Sequence, residues 1–258
     1  MGRQLHLRQH YVFLLEPIHA PSGEVMAWEL LTRCMQGNES AVQADADSGH
    51  RLFDRLLEAE KWQLFLLQLE RIDALYQSGF SSVLSLNIDS DIIRGILNNH
   101  AVQQKLDQLP LLRLEISAFF TARYHAADRL LLQKLAGITP ALLWIDDFGA
   151  GSSTLSMLSS GIVEYVKISR SFFWKYGTGY AFDTLLNHVN DFCKGVIIQG
   201  VDTQQQLELA SSKQAAGLQG RCWNTAYLDD FIDQSVNVPL SGALKNQRSA
   251  ITHYRNFL

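Results

Sequence analysis

Short apolar runs alternate with longer stretches in which apolar residues recur every three or four positions. The short runs predict β-strands, and the longer stretches predict amphipathic helices. Two strands come first, at 11–15 and 24–32, and suit a hairpin. The first is expected to stop at Glu16-Pro17, because a proline within an apolar run argues against a strand. Residues 51–76 then predict one long helix, or two in succession, ending at Gly79.

The rest of the chain alternates regularly between predicted strands and predicted helices. The strands are expected at 82–88, 111–116, 141–145, 164–168, 195–198 and 216–219. The helices are expected at 89–108, 123–136, 152–159, 171–192 with a break near 177–179, 203–211 and 227–235, with a further helix in the tail 241–258. This alternation is typical of parallel strands with outer helices.

The element order predicts an α/β fold. About eight strands in roughly 250 residues fit a closed, TIM-like (β/α)8 barrel, and the opening hairpin would make one strand near the N-terminus antiparallel. The alternative is a doubly wound open sheet, but no G-x-G-x-x-G motif follows the first strand. No linker or internal repeat is evident, so one domain over 1–258 is expected, with its core at about 11–230.

The composition is that of an ordinary water-soluble protein, with 47% apolar and 19% charged residues. A net charge of −4 provides no basic surface for nucleic acid. The three cysteines are odd in number and widely spaced, which favours reduced thiols and a cytoplasmic location. No apolar run is long enough to span a membrane, so neither a membrane nor nucleic acid is expected as a direct partner.

Two adjacent carboxylates, Asp146 and Asp147, follow the predicted strand 141–145 and precede a glycine-rich turn. This order is typical of the mouth of a parallel sheet or barrel. Adjacent carboxylates repel unless a cation lies between them, and a divalent metal is the simplest such cation. Taken alone, the pair is better explained as an exposed acidic loop or a helix cap. Trp144 is expected to pack between barrel and helices.

Polar residues also stand at or just beyond the ends of the other predicted strands. In a barrel these ends meet at one mouth, so the side chains should converge there. The set comprises Glu29, Arg33, Asn87, Glu115, Asp146, Asp147, Lys167, Gln199, Asp202 and Gln219. Carboxylate and amide oxygens suit Mg²⁺ or Mn²⁺ rather than Zn²⁺. A lysine beside them suits a phosphate ester, and a two-metal arrangement would suit its hydrolysis.

At these strand ends the sequence resembles the EAL domain, the family of bacterial cyclic di-GMP phosphodiesterases. Glu29-Leu30-Leu31-Thr32-Arg33 resembles the E-x-L-x-R signature, and residues 146–155 resemble the D-D-F-G-T-G-Y-S-S-L loop. Other matching segments are Leu86-Asn87-Ile88, Leu114-Glu115-Ile116-Ser117, Val166-Lys167-Ile168, residues 196–203 and Gln219-Gly220. The resemblance covers about residues 11–230 and implies the EAL fold, a modified TIM-like (β/α)8 barrel.

The resemblance also implies roles for individual residues. It implies the remains of a metal site at Glu29, Asn87, Glu115, Asp146, Asp147 and Gln219. It implies the remains of a ligand site at Glu16, Arg33, Asp147 and Asp202, and it makes Lys167 a retained active-site residue. No cofactor is expected to be required, and residual binding of Mg²⁺ or Mn²⁺ is expected at most.

Departures from the family pattern decide the expected function. Gln199 stands where the family has a catalytic glutamate, and a neutral amide cannot take a proton from water. Glu16 replaces a glutamine that helps bind guanine, and it brings negative charge near a dianionic ligand. Ala118, Ser152 and Asp202 replace Glu, Tyr and Glu of the family pattern. Several such losses in one site predict that none of its residues is active in catalysis.

Three functions stay open, in order of preference. The first is a catalytically silent EAL domain that regulates by binding another protein, since silent stand-alone members of the family bind the flagellar master transcription regulator and suppress motility. The second is a receptor that binds cyclic di-GMP without hydrolysing it, which Arg33 and Lys167 favour and Glu16 opposes. The third is a weak cyclic di-GMP phosphodiesterase.

Two segments are candidates for contact with a protein partner. One is the tail 241–258. The other is the helix-rich stretch 171–192, in which the aromatic residues Phe172, Phe173, Trp174 and Tyr176 lie close together. Ordinary packing of a helix on the barrel is the favoured explanation of these aromatics, and an exposed patch would favour an interface instead.

Overall fold

The computed structural model describes residues 11–34, 56–117, 126–139, 142–149, 158 and 161–236, without the side chains of 126–129 and 234–236. Within these ranges the strands are β1 (Tyr11–His19), β2 (Val25–Cys34), β3 (Val83–Ile88), β4 (Leu112–Ser117), β5 (Leu142–Phe148), β6 (Val163–Ile168), β7 (Gly195–Gln199), β8 (Gly217–Gln219) and β9 (Ala226–Tyr227). The helices are α1 (Glu58–Gln77), α2 (Ser90–Leu97), α3 (His100–Asp107), α4 (Ala126–Ile138), α5 (Arg170–Tyr176), α6 (Tyr180–Asn190), α7 (Gln204–Ser211) and α8 (Leu228–Val236).

The strands β1 to β8 close into a barrel. Their hydrogen-bonded order is β2-β3-β4-β5-β6-β7-β8-β1-β9, and β1 also pairs with β2. Neighbours from β2 to β8 are parallel, whereas β1 is antiparallel to both β2 and β8. The predicted TIM-like (β/α)8 barrel with one antiparallel strand near the N-terminus is therefore confirmed, and the open-sheet alternative is wrong. The short strand β9, which pairs with β1, has no signal in the sequence pattern.

The first strand continues past its predicted end. β1 runs through Glu16 and Pro17 to His19 and stays paired with β2 over that length. Proline lacks only its own N–H, and its fixed φ is compatible with an extended backbone. Leu15 and Ile18, on either side of Glu16-Pro17, are fully buried. Their burial outweighs the loss of one hydrogen-bond donor, so the strand continues.

The acidic pair lies within β5 rather than in a loop after it. Asp146 is 2% exposed, so the exposed acidic loop that the pair taken alone would suggest is wrong. Asp147 has a left-handed backbone, with φ 56°. The pairing of β5 with β6 is irregular between Ile145 and Phe148, on either side of the two acids. An irregularity of this kind bends a strand and changes the direction of its side chains, and it is common beside functional sites.

Polar side chains fix where several helices begin. Asp89 accepts hydrogen bonds from the backbone N–H groups of Asp91 and Ile92, both at 3.0 Å, and so caps α2. Asn99 caps α3 by accepting from Val102 N at 3.1 Å. The stretch predicted as mostly helical therefore contains two helices with a junction at Asn99. Ser169 and Thr203 cap α5 and α7 in the same way.

Other predicted helices are present with shifted ends, or lie outside the described ranges. The expected break near 177–179 is confirmed, since it separates α5 from α6. The helix α1 begins at Glu58, after an extended Leu57 and later than the predicted start at residue 51, and Gly79 follows its end with φ 97°. Of the predicted helix 152–159 only Leu158 is described, and the predicted tail helix 241–258 lies outside the described residues.

The buried apolar side chains among the described residues form two clusters. The larger lies between the barrel and its helices. The smaller consists of Ile18, Ala27, Trp144 and Ile197, which come from β1, β2, β5 and β7 and meet inside the barrel. Trp144 and Asp146 are two positions apart on β5, so their side chains point to the same, inward face of the strand. The expected position of Trp144 between barrel and helices is therefore wrong. This inner cluster forms an apolar floor beneath the mouth.

Candidate functional site

Seven consecutive strands each place one polar side chain above this floor. The inward face of a strand recurs every second residue, so the residue two positions beyond a floor residue also points into the barrel. From β2 to β8 the seven side chains are Glu29, Asn87, Glu115, Asp146, Lys167, Gln199 and Gln219. All seven belong to the set picked out at the strand ends in the sequence, and the hydrogen bonds among them show that the barrel brings them together.

Lys167 lies at the centre of this cluster and is fully buried. Its Nζ donates to Glu29 Oε2 at 2.6 Å and to Glu115 Oε2 at 3.0 Å, and lies 3.7 Å from Asp146 Oδ1. Burial alone would lower the pKa of Lys167, but the charges of Glu115, Glu29 and Asp146 raise it well above its usual value. Lys167 is therefore a permanent cation that neutralises acids from three other strands.

Side-chain amides donate further hydrogen bonds to two of these acids. Asn87 Nδ2 donates to Glu29 Oε1 at 2.7 Å, and Gln219 Nε2 donates to Glu29 Oε2 at 2.7 Å. Gln199 Nε2 donates to Asp146 Oδ1 at 2.9 Å. Gln199 Oε1 is buried and accepts no hydrogen bond. Gln199 thus turns its donor, and not its oxygen, towards the carboxylate at the centre of the site.

Burial raises the pKa of two carboxyl groups at the mouth. It raises the pKa of Glu115 to about 8, with the charge of Glu29 adding to the effect and Lys167 opposing it. It raises the pKa of Glu16, on β1, to about 7, again with Glu29 adding to the effect. Both values lie well above the usual 4.5 of a glutamate. The mouth therefore retains protons on carboxyl groups near neutral pH.

Three acids lie close enough together to hold a divalent cation. One carboxylate oxygen from each of Glu29, Glu115 and Asp146 lies within 4.8 Å of the others. Their oxygens fit Mg²⁺ or Mn²⁺ by ligand type. Lys167 already neutralises part of the charge of these acids, and the donor of Gln199 faces Asp146 where a ligand would need an oxygen. The three acids therefore fit a divalent cation, but Gln199 offers it no oxygen ligand.

Arg33 lies at the end of β2 and is 5% exposed. Its Nε and Nη1 atoms are buried and have no hydrogen-bond partner. Burial lowers the pKa of Arg33, and the nearby charges of Glu16 and Glu29 oppose that effect. A guanidinium with unused buried donors has the geometry to receive an anionic group, since it offers several N–H groups in a fixed fork.

Asp202 lies on the rim, apart from the acids around Lys167. It accepts a hydrogen bond from Arg221 N at 2.9 Å, and its Oδ2 lies 3.5 Å from Arg221 Nε and 3.9 Å from Arg170 Nη2. Asp147 is partly exposed beside the mouth. Ala118 and Ser152, two further departures from the family pattern, lie outside the described residues.

Two further residues belong to the site, although the sequence reasoning did not select them. Ser85 lies two positions before Asn87 on the inward face of β3, and its side chain hydrogen-bonds Glu115. The alternation that selects Asn87 also selects Ser85. Arg170 is the first residue of α5 and stands near Asp202 on the rim. The fold alone reveals that contact, because 32 positions separate the two residues in the sequence.

The family model of the EAL domain matches residues 3–226. The chain belongs to the EAL-domain family. The polar cluster at the barrel mouth is therefore the candidate functional site of an EAL domain.

Two curated proteins of Escherichia coli K12 are similar to this EAL domain. Cyclic di-GMP phosphodiesterase PdeH is 26% identical over 227 residues, which is 84% of each chain. The putative anti-FlhC(2)FlhD(4) factor YdiV is 25% identical over 179 residues, which is 67% of this chain and 75% of YdiV. One relative is thus named for catalysis and the other for opposing a protein complex, so membership of the family does not by itself decide between these activities.

Solved structures show the same fold. The crystal structure of the EAL-like domain protein YdiV matches with a TM-score of 0.72 at 21% identity, over 90% of this chain and 99% of that one. The FimX EAL domain from Pseudomonas aeruginosa bound to c-di-GMP matches with a TM-score of 0.68 at 18% identity, over 85% and 92% of the chains. Among the described residues of this EAL domain, none of the helices has the length and apolarity needed to cross a membrane.

Proposed function

We propose that this EAL domain is a catalytically silent regulator that binds the flagellar master transcription regulator, FlhC(2)FlhD(4), and thereby represses flagellar gene expression and motility. One observation carries the proposal. Gln199 donates its amide N–H to Asp146 at 2.9 Å, at the position where the resemblance to the family implies a catalytic glutamate. The strand that should supply a base supplies a hydrogen-bond donor.

The remaining groups at the mouth are poor substitutes for that base. Lys167 keeps its proton because three acids raise its pKa. Glu29 and Glu115 accept hydrogen bonds from Lys167, so the negative charge of each is shared with that buried cation. Glu16 has a pKa of about 7, but it lies on β1, which faces β5 and Asp146 across the barrel. A general base has to lie within reach of the water that it activates.

The relatives support a role in binding. YdiV is named for opposing FlhC(2)FlhD(4), and its sequence and its solved structure are both similar to this chain. PdeH, which is named as a phosphodiesterase, covers more of this chain at a similar identity. The chemistry at Gln199 favours the YdiV-like role over the PdeH-like one.

The first test combines binding with product analysis. The purified chain is titrated against purified Escherichia coli FlhC(2)FlhD(4), and separately incubated with cyclic di-GMP and Mn²⁺. We expect a complex with FlhC(2)FlhD(4) and no linear product. Gln199→Glu restores a carboxylate at that position, and the appearance of linear product with this variant alone would show that Gln199 silences the site. The absence of a complex would reject this partner, and turnover by the wild type would reject catalytic silence.

A second candidate function is a receptor that binds cyclic di-GMP without hydrolysing it. Arg33 favours it, because its buried guanidinium has donors without partners beside the mouth. Calorimetric titration with cyclic di-GMP in Mg²⁺ and in Mn²⁺ tests this candidate, with Arg33→Met as the variant that should lose binding. Binding without product would establish the receptor, and absence of binding would leave the protein-binding role.

A further inference from the structure

Three large aromatic side chains stand exposed on α5 and at the start of α6. Trp174 is 51%, Tyr176 43% and Tyr180 86% exposed. The favoured explanation from the sequence, that the aromatics of this stretch pack on the barrel, holds for the buried Phe173 and is wrong for Trp174 and Tyr176. We call Trp174, Lys175, Tyr176 and Tyr180 the α5 ridge. Exposed apolar groups clustered in this way mark surfaces that meet a partner.

Lys175 lies at the outermost position of the ridge. Successive residues of a helix are about 100° apart, so the burial of Phe173 turns Lys175 outward, with Trp174 and Tyr176 on its two sides. Tyr180 follows within one turn, because Gly179 N donates to Tyr176 O at 2.8 Å.

The side chains of Trp174 and Tyr176 are held in place although they are exposed. Trp174 Nε1 donates to Gly200 O at 2.7 Å, and the Arg170 guanidinium lies 5.4 Å from the centre of the Trp174 ring. The centres of the Tyr176 and Phe172 rings lie 4.8 Å apart, and Lys175 Nζ lies 5.0 Å from the centre of the Tyr176 ring. Side chains that are fixed before binding lose little entropy on binding. Trp, Tyr and Arg are also the residues that most often dominate the energy of an interface.

The charge of the ridge selects its partner. Lys175 is the charged residue of the ridge, which contains no acid, although the whole chain has a net charge of −4. In a two-fold dimer the same patch meets itself, so a second copy would bring this cation against its own equivalent. A surface with carboxylates around an apolar centre is complementary to the ridge.

We infer that the α5 ridge is the docking surface for an acidic, apolar-centred face of the protein partner, with Trp174 and Tyr180 as its anchors. This inference rests on the proposed function and adds to it the position of the interface. The ridge is also connected to the site, because Trp174 donates its hydrogen bond to Gly200, and Gly200 directly follows Gln199. A partner seated on the ridge would therefore lie beside the barrel mouth.

The test measures binding of purified FlhC(2)FlhD(4) to the full chain and to four variants. Trp174→Ala and Tyr180→Ala each remove an anchor, and Lys175→Glu reverses the charge. Leu130→Ala is the matched control, because Leu130 is 52% exposed and lies on α4. We expect each anchor variant to weaken binding by more than about tenfold, Lys175→Glu to weaken it most at low salt, and the control to bind as the wild type does. Thermal unfolding of each variant checks that it is folded.

Each other outcome rejects a distinct statement. If the wild type and all folded variants bind equally, the proposed function stands and the ridge is not the interface. If the wild type does not bind FlhC(2)FlhD(4), this partner fails and the inference fails with it. If light scattering shows a wild-type dimer that Trp174→Ala and Tyr180→Ala convert to monomers without loss of partner binding, the ridge joins two copies of the chain and the inference is overturned.

Discussion

Glu16 and Gln199 exchange acid and amide relative to the pattern that the family resemblance implies. That pattern has glutamine at position 16 and glutamate at position 199, and this chain has the reverse. The number of carboxylates contributed by the two positions is unchanged, but the acid has moved from β7 to β1. It now pairs across the strands with Glu29, and the amide faces Asp146. The exchange therefore places an acid next to an acid on β1 and β2.

Replacing Glu16 with glutamine should make the protein more stable at alkaline pH. The pKa of Glu16 is about 7 in the folded protein against 4.5 for an ordinary glutamate, so the folded state resists its ionisation. The penalty is absent below pH 4.5, grows as the pH rises and is complete above pH 7. At pH 8, Glu16→Gln should raise the free energy of unfolding by on the order of 1–3 kcal/mol.

Urea unfolding at a series of pH values from 5 to 8.5 measures this effect. The difference between Glu16→Gln and the wild type should shrink towards the acidic end of the series. Glu24→Gln is the matched control, because Glu24 is exposed in the turn between β1 and β2. A constant difference at all pH values would show that ionisation of Glu16 does not cause it.

At the scale of elements, local patterns predict the type of most strands and helices and fail mainly at their ends. β1 passes through Pro17 and β5 passes through its two acids, because pairing and burial on the barrel outweigh the local signals for a stop. The helix predicted over 89–108 is divided at Asn99, because the Asn99 side chain caps the start of a second helix. The short strand β9 depends entirely on the edge that β1 offers.

The start of α2 depends on one side chain. Asp89 accepts two backbone N–H groups and also lies 2.6 Å from Lys61 Nζ on α1. Asp89→Ala should therefore lower the free energy of unfolding by about 1–2 kcal/mol. Asp107→Ala, at the exposed end of α3, should change it by less than about 0.5 kcal/mol. Chemical denaturation of both variants measures the two effects, and equal losses would show that capping is not the cause.

At the scale of the whole molecule, the barrel gathers acids that the sequence scatters. Lys167 on β6 contacts acids from β2, β4 and β5, and 138 positions separate it from Glu29. A buried cation in this position compensates several carboxylates at once. It also links strands from different parts of the chain. Lys167 therefore stabilises both the closed barrel and the negative charge at the barrel mouth.

Removing Lys167 should destabilise the protein strongly. Lys167→Met leaves buried carboxylates without their cation and should lower the free energy of unfolding by about 3–5 kcal/mol at pH 8. The loss should shrink as the pH falls, because protonation then neutralises the acids. Lys194→Met is the matched control, because Lys194 also contacts a glutamate, at 2.9 Å, but is largely exposed; it should lose less than about 1 kcal/mol. Thermal unfolding of both variants at pH 6 and pH 8 tests this prediction, and equal losses would contradict it.

The sequence by itself determined the strand and helix order, the barrel, the family resemblance and the polar residues that the barrel would bring together. The element order and the polar set follow from local periodicity and from the alternation of side chains along a strand, which depend only on neighbouring positions. The family resemblance follows from the motifs at the strand ends. The tertiary structure decided the pairing within the site, the direction of the Gln199 amide, the burial of Trp144 inside the barrel and the exposure of Trp174. Each of these depends on contacts between residues far apart in the sequence, and those contacts exist only once the strands have closed.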